Sequence, residues 1–280
     1  MISTKLQKIL HQHNYHPWLW RRPKLIAILN CLEYAFFPRN ATVWRYLKPE
    51  VLRRQNDHGK SVWLDAGFGY GQFLYPAARR LPHVRFLAQE REAPHLQFAA
   101  RYAEERGLDN ITPLHQDLNA DPQYTVPLDT IVCVSVMQYV DDPVGLLASW
   151  RSQATADGRL FLYMPLQQEK VIVDYDRSQK RHWLNEAQVE ALLEQGGWEV
   201  TAKAAAVGRF GYAAHLLHNH MARTYLASPF WLRAPVALIY IAPLLLPFAL
   251  LLLLNRWVKL PPIRGMLFVG VPSSLNQEEA

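Results

Sequence analysis

The stretch Ser61-Val-Trp-Leu-Asp-Ala-Gly-Phe-Gly-Tyr-Gly-Gln-Phe73 constrains this chain more than any other. Val62 to Leu64 is a short apolar run of strand type, Asp65 follows it, and glycines at 67, 69 and 71 lead into Phe73-Leu-Tyr-Pro-Ala-Ala-Arg-Arg, which reads as a helix. Strand, glycine loop and helix in that order suit a ligand site. Glycines reach backbone angles closed to other residues and let a ligand approach the main chain, while the next helix offers its positive N-terminal end. A tight strand-to-helix turn with nothing bound is the plainer reading of the loop alone.

The spacing Asp-x-Gly-x-Gly-x-Gly narrows the choice. A dinucleotide fingerprint, Gly-x-Gly-x-x-Gly, needs its third glycine at position 72, where Gln72 stands. From Val62 onward the pattern alternates strand and helix, which demands a mostly parallel sheet. Strands are expected at Val84–Glu90, Ile111–Asp117, Thr130–Val136, Gly158–Pro165, Trp198–Ala206 and Met266–Pro272, with helices at Ala93–Arg106, Asp142–Thr155 and Asn185–Gln195. Ligands in such sheets sit outside the carboxyl ends of the strands. That rule puts Asp65, Glu90 and Asp117 on one rim.

The first motif resembles that of the class I S-adenosylmethionine-dependent methyltransferases, and the resemblance extends over about residues 60–206. It implies an α/β, Rossmann-like fold of seven strands, mostly parallel with the last antiparallel. It implies that the loop Asp65, Gly67, Phe68, Gly69 and Gly71 wraps the methionine part of the cofactor. Glu90 would accept both ribose hydroxyls, a task for two carboxylate oxygens, Asp117 would meet the adenine amino group, and Leu118 would add a main-chain amide and an apolar face. Arg91 and Ser135 are counted with them as cofactor-binding. Asp129 to Pro143 looks like the family's fourth motif, which faces the substrate. Glu90 stands where Asp is common, Gln89 is polar in a usually apolar place, and Phe68 and Tyr70 are bulky for the loop.

Charge separates the ends of the chain. The net charge is +6, but residues 1–60 carry 11 Lys/Arg against 3 Asp/Glu, so the remainder is slightly acidic. Trp18, Trp20, Tyr34, Phe36 and Phe37 lie among those basic residues, a mixture suited to anionic lipid headgroups rather than nucleic acid. Leu25 to Phe37 is an apolar helix too short to span a bilayer, and Met1 to Leu10 a short amphipathic one. Residues 1–59 are thus read as membrane-interface helices, with a cap on the soluble core as the alternative. His11, His13 and His16 read as exposed. Cys31 and Cys133 are far apart and form no metal or disulfide pattern, which fits a reducing cytoplasm.

Residues 207–265 interrupt the expected pairing of the last two strands. Within them Ala234 to Leu254 is 21 residues without a charge, about 31 Å as a straight helix and long enough to cross a bilayer. Both flanking strands belong to one sheet, so the insertion must cross an even number of times, and Phe210 to Trp231, with His215, His218, His220 and Arg223, is a poor second span. Pro243 and Pro247 are expected to break the run. The reading is a re-entrant or interfacial hairpin held at the headgroups by Arg233, Arg256, Lys259 and Arg264; a buried subdomain or dimer interface is the alternative. Residues 273–280 read as a tail.

These features together describe a monotopic protein on the cytoplasmic face of a membrane, with a bacterial inner membrane as the expected location. The resemblance implies S-adenosylmethionine as cofactor, S-adenosylhomocysteine as product and no metal; the membrane features add the expectation of a hydrophobic, lipid-like acceptor such as a quinone, polyene or isoprenoid, methylated on oxygen or carbon. Tyr139 and His182 are the candidate catalytic residues, as bases if the acceptor must lose a proton, with His215 or His218 behind them. Asp141-Asp142 reads as a helix cap rather than a metal pair. A protein that keeps the fold and binds the cofactor as a membrane scaffold, transferring nothing, is the alternative function. A transporter is excluded because only one apolar segment reaches spanning length.

Overall fold

The computed structural model describes residues 38–56, 61–120, 124–166 and 184–273. The readings at residues 1–37, the histidine at 182 and the tail beyond Ser273 lie outside the described residues. What is described forms two compact units, the sheet with its helices and the stretch Ala205–Arg264.

The sheet has seven strands: β1 (Val62–Ala66), β2 (Arg85–Glu90), β3 (Ile111–His115), β4 (Leu128–Val134), β5 (Ala154–Pro165), β6 (Trp198–Val207) and β7 (Gly265–Pro272). Their order is β3-β2-β1-β4-β5-β7-β6. The pairs β1–β2, β1–β4, β2–β3 and β4–β5 are parallel, and β5–β7 is antiparallel. Ser273 N–H donates to Gly197 O and Thr201 Oγ1 to Val269 O, so β6 runs opposite to β7 as well. Parallel strands are covered on both faces and read as unbroken apolar runs. Val62-Trp-Leu and Ile131-Val-Cys are such runs, and all six residues are buried.

Helices α1 (Pro38–Arg54), α2 (Leu74–Arg80), α3 (Ala93–Arg106), α4 (Pro143–Gln153) and α5 (Glu186–Gln195) accompany the strands. Their ends follow local chemistry. Asp142 Oδ1 accepts from Gly145 N–H at 2.9 Å and Pro143 opens α4, so the helix-cap reading of this acid is correct. Asn185 and Gln188 cap α5 reciprocally, and Gly107 ends α3 at φ +61°. Trp63, Trp150, Trp198, Phe86, Phe98 and Phe161 fill the core, each fully buried large apolar side chain contributing roughly 1.5–3 kcal/mol.

Helix α1 corrects one expectation. Its Val43, Leu47 and Val51 are buried. Arg53 and Arg54, counted above in the basic N-terminal excess, are internal ligands of Glu50, which is 0% exposed. Glu50 accepts from Arg53 Nη2 at 2.7 Å, Arg54 Nε at 3.0 Å and Thr130 Oγ1 at 2.8 Å. Arg54 reaches on to Asp129 O at 2.9 Å, and Asp129 Oδ2 accepts from Val62 N–H at 2.7 Å. Asp129 therefore belongs to a clamp at the amino ends of β1 and β4, not to the substrate side where its motif placed it. Burial would raise the Glu50 carboxyl, but the Arg53 guanidinium, the Thr130 hydroxyl and Arg54 hold it below the usual range.

The second unit contains α6 (Arg209–Ala227) and a 25-residue helix α7 (Arg233–Trp257), which pack on each other. The expected break at the prolines does not occur. Proline lacks a backbone donor and its ring crowds the preceding turn; here the chain widens into a π-helical stretch, Val236–Ile241, just before Pro243, and the helix continues through Pro247 to Trp257. Asn255, fully buried, pins the pair. Its Oδ1 accepts from Gly208 N–H at 2.8 Å and Gly211 N–H at 3.0 Å, and its Nδ2 donates to Ala206 O at 3.0 Å. A Cβ on Gly211 would stand 2.7 Å from Asn255 Oδ1, so a larger residue there excludes the pin.

Two outcomes are expected. Glu50→Gln strands a buried guanidinium and should lower stability by about 3 kcal/mol in urea unfolding; a loss below about 0.5 kcal/mol contradicts the clamp. Asn255→Leu orphans three buried backbone groups, each costing about 1–3 kcal/mol, and should raise hydrogen exchange across α6 and α7 while the sheet stays protected.

Candidate active site

The carboxyl ends of β1, β2 and β4 converge on residues 65–73. The loop is stitched to β2: Gly67 N–H and Phe68 N–H both donate to Gln89 O, at 2.9 and 3.3 Å, and Gly71 N–H closes a turn on Phe68 O at 2.8 Å. The plainer reading, a tight turn, accounts for two of the three glycines. A Cβ on Gly67 would lie 2.5 Å from Val136 Cγ2, and one on Gly71 would lie 2.1 Å from the Tyr75 ring. Gly69 differs. It sits at φ +54° and its Cβ direction meets no atom within 4 Å, so the loop opens there onto free space beside the main chain.

Asp65 is 3% exposed, its Oδ2 has no hydrogen-bond partner, and among the described residues no ion pair neutralises it. Burial, then the neighbouring charge of Glu90, push its carboxyl up to about 8, against a smaller opposing effect of the Leu74 N–H. A buried carboxyl lacking a cation suits a positively charged ligand. Glu90, closing β2, accepts from Arg91 N–H at 2.9 Å and Glu92 N–H at 3.2 Å on Oε1, and from Gly69 N–H at 3.2 Å on Oε2. His95 Nδ1 lies 3.3 Å from the same Oε2. Burial alone would raise the Glu90 carboxyl, but His95 and the two backbone N–H groups bring it below its ordinary value.

The third acid is placed differently from expectation. Strand β3 ends at His115, in register with Glu90, so Asp117 stands in the following loop. It is half-buried, its Oδ1 accepts from Asn119 N–H at 3.0 Å, and Leu118 beside it is buried. Asn119 Oδ1 accepts from Asp141 N–H at 2.7 Å and ties this turn to the loop after β4. In that loop Ser135 holds φ +59°, a strained angle for serine, costing of order 1 kcal/mol or more. Its N–H donates to Tyr163 O at 3.1 Å and its carbonyl accepts from Gln138 Nε2 at 2.9 Å. Tyr139 closes the next turn, half-buried, and Arg91 is exposed.

Thus Asp65, Gly67, Phe68, Gly69, Gly71 and Glu90 come together, Asp117 and Leu118 flank them beyond β3, and Ser135 and Tyr139 follow β4. His182 lies outside the described residues, and His215 and His218 belong to the other unit. Sequence reasoning missed three contributors. Val136 packs against the loop, His95 meets Glu90, and Tyr124 Oη donates to Gln89 Oε1, which explains a fully buried glutamine in an apolar place. Among the described residues no group of three His, Cys, Asp or Glu side chains could hold a metal. A cavity of about 750 Å³ lined by Glu190, Trp198 and Lys203 lies at β6, four places from β1 in the sheet, and is a separate feature.

Residues 64–160 match the family model of a methyltransferase domain. No curated protein matches the chain. Among solved structures it is similar to the (4+2)-cyclase SpnF, at 16% identity and a TM-score of 0.55, covering 81% of this chain and 80% of that one. It is also similar to the O-methyltransferase of a trans-AT PKS multienzyme of Brevibacillus brevis in complex with S-adenosyl-L-homocysteine (15% identity, TM-score 0.54, coverage 86% and 79%). Coclaurine N-methyltransferase, bound to N-methylheliamine and S-adenosylhomocysteine, gives 15% identity, a TM-score of 0.55 and coverage of 82% and 72%. At such identities the likeness is one of fold.

Asp65 supplies a test. Its native carboxyl titrates near 8 against an ordinary value of 3.8, so between those values the native state holds the extra proton and stability falls as pH rises from about 4 to about 8. Asp65→Asn removes that fall and should raise Tm at pH 8 by about 3 °C or more while leaving it unchanged at pH 4. Equal pH profiles for both proteins contradict the buried-carboxyl account. Residues 64–160, which match the methyltransferase-domain model, contain Asp65, the glycine loop, Glu90 and Tyr139.

Proposed function

We propose that the protein is a membrane-associated methyltransferase that moves a methyl group from S-adenosylmethionine to a hydrophobic, lipid-like acceptor, on oxygen or carbon. The observation that carries the membrane part is α7. Its most apolar window has a mean hydropathy of 2.6 with 6% of it buried, and Leu238, Ile239, Leu246 and Trp257 are each at least 68% exposed. It is the one candidate span among the described residues. Apolar surface on this scale is unfavourable in water and marks a contact site. Arg233 opens the helix, and Arg256, Lys259 and Arg264 follow near its end, where headgroups would meet them. Residues 207–265 then act as an interfacial or re-entrant hairpin, on the cytoplasmic face of a bacterial inner membrane, and partitioning raises the local concentration of an apolar acceptor.

S-adenosylmethionine, when bound, supplies the activated methyl group and its leaving group together. The chain's own residues bind and orient. Glu90 holds the ribose side, Asp117 and Leu118 the adenine side, and the open edge at Gly69 admits the rest to the main chain. Asp65, whose Oδ2 lacks a hydrogen-bond partner, gives up its proton more readily once the cationic part of the ligand lies beside it. Tyr139 stands on the β4 side, where it can take a proton from the acceptor if the acceptor must lose one. The cyclase similarity favours a second reading: this fold serves proteins with another chemistry, so a cofactor-binding scaffold that transfers nothing is the alternative.

Purified protein incubated with membrane lipid extract and methyl-labelled S-adenosylmethionine should label an organic-soluble product, and Glu90→Ala should reduce that label at least tenfold. Cofactor binding without label supports the scaffold. In flotation with anionic vesicles, wild type should rise with the lipid and a variant with Leu238, Ile239, Leu246 and Leu250 changed to Ser should stay behind. A wild type that stays behind as a dimer overturns the membrane reading.

A further inference from the structure

Glu90 is met by four protein groups: the N–H groups of Arg91 and Glu92 on Oε1, and Gly69 N–H and the His95 imidazole on Oε2. Three of these groups are main chain and come with the fold of the strand end and loop. The fourth is a side-chain choice. His95 is 8% exposed, in the first turn of α3, and its backbone N–H donates to Glu92 O at 3.0 Å. The Tyr70 ring of the glycine loop lies against it, centroids 5.6 Å apart. The ring thus joins α3, the end of β2 and the loop. The other charged groups around it are Asp65 on β1, Glu92 before α3, and Arg91 with its exposed guanidinium.

We infer that His95 is a positioning residue for ribose recognition: it orients the Glu90 carboxylate through Oε2 and sets how strongly the site prefers a ribose with both hydroxyls. This rests on the reading of Glu90 as the ribose-binding acid. Two hydroxyls docking side by side need the carboxylate plane at one angle. The backbone donors on Oε1 leave that plane a turn about Oε1, which the single long Gly69 N–H bond and the imidazole beside Oε2 restrict together. Truncating the ring lets the carboxylate turn and weakens the bidentate contact more than a contact to one hydroxyl.

The test titrates S-adenosylhomocysteine and its 2′-deoxyribose analogue into wild type, His95→Leu and His95→Asn, whose amide nitrogen falls where Nδ1 stands. Wild type should prefer the ribose ligand; His95→Leu should narrow that preference about tenfold, and His95→Asn should restore it to within about threefold of wild type. Because each preference is a ratio within one protein, a general loss of stability cancels. A preference unchanged in His95→Leu, or lost equally in the Leu and Asn variants, overturns the role of His95. No binding of either ligand by folded wild type would instead overturn the cofactor reading.

Discussion

Asp65, buried, and Glu90, half-buried, are carboxylates at the ends of adjacent strands, and among the described residues no basic side chain forms an ion pair with Asp65. Like charges this close raise the proton affinity of one of them, and here Asp65 takes that burden while Glu90 is kept ionised by backbone N–H groups and His95. The cost is tolerable only where the surroundings are held rigidly. The loop stitched to Gln89 O, the Val136 contact at Gly67 and the Tyr75 ring at Gly71 provide that rigidity. Asp65 thereby holds its proton near neutrality, and a cation at the open edge beside Gly69 would favour its ionised form.

The opposite end of the sheet treats charge in the reverse manner. Glu50 is as deeply buried as Asp65 but is surrounded by Arg53, Arg54 and Thr130, with Asp129 completing the set. One end of β1 and β4 is saturated and serves stability; the other leaves Asp65 without a cation. The same residue types thus do different work according to whether partners are supplied, which is the usual signature of a functional site.

Where local chemistry decides structure, the reading from sequence held. The apolar runs, the glycine at 107, and the Asp142 and Asn185 caps act over three or four residues, so strands and helices fell within a few residues of expectation. Long-range partners were not legible. Nothing near Glu90 announces that the imidazole five residues on turns back to it, nor that Tyr124 answers Gln89. The basic count at residues 1–60 could not reveal that Arg53 and Arg54 are consumed internally by Glu50 and Asp129. Asp117 was drawn into β3 because its neighbours are strand-compatible, yet the strand stops at His115 where its pairing with β2 stops. The prolines of α7 were over-weighted because a π-helical turn relieves a clash that an unbroken α-helical ladder could not.

Calorimetric titration of S-adenosylhomocysteine into detergent-solubilised wild type and Gly69→Val tests the central claim most directly, since Gly69 is the loop position whose Cβ direction meets no protein atom within 4 Å. Micromolar binding by wild type, lost in a folded Gly69→Val protein, is the predicted result. Equal binding by both, or none by folded wild type, would show that the open edge of the glycine loop is not where the cofactor is held.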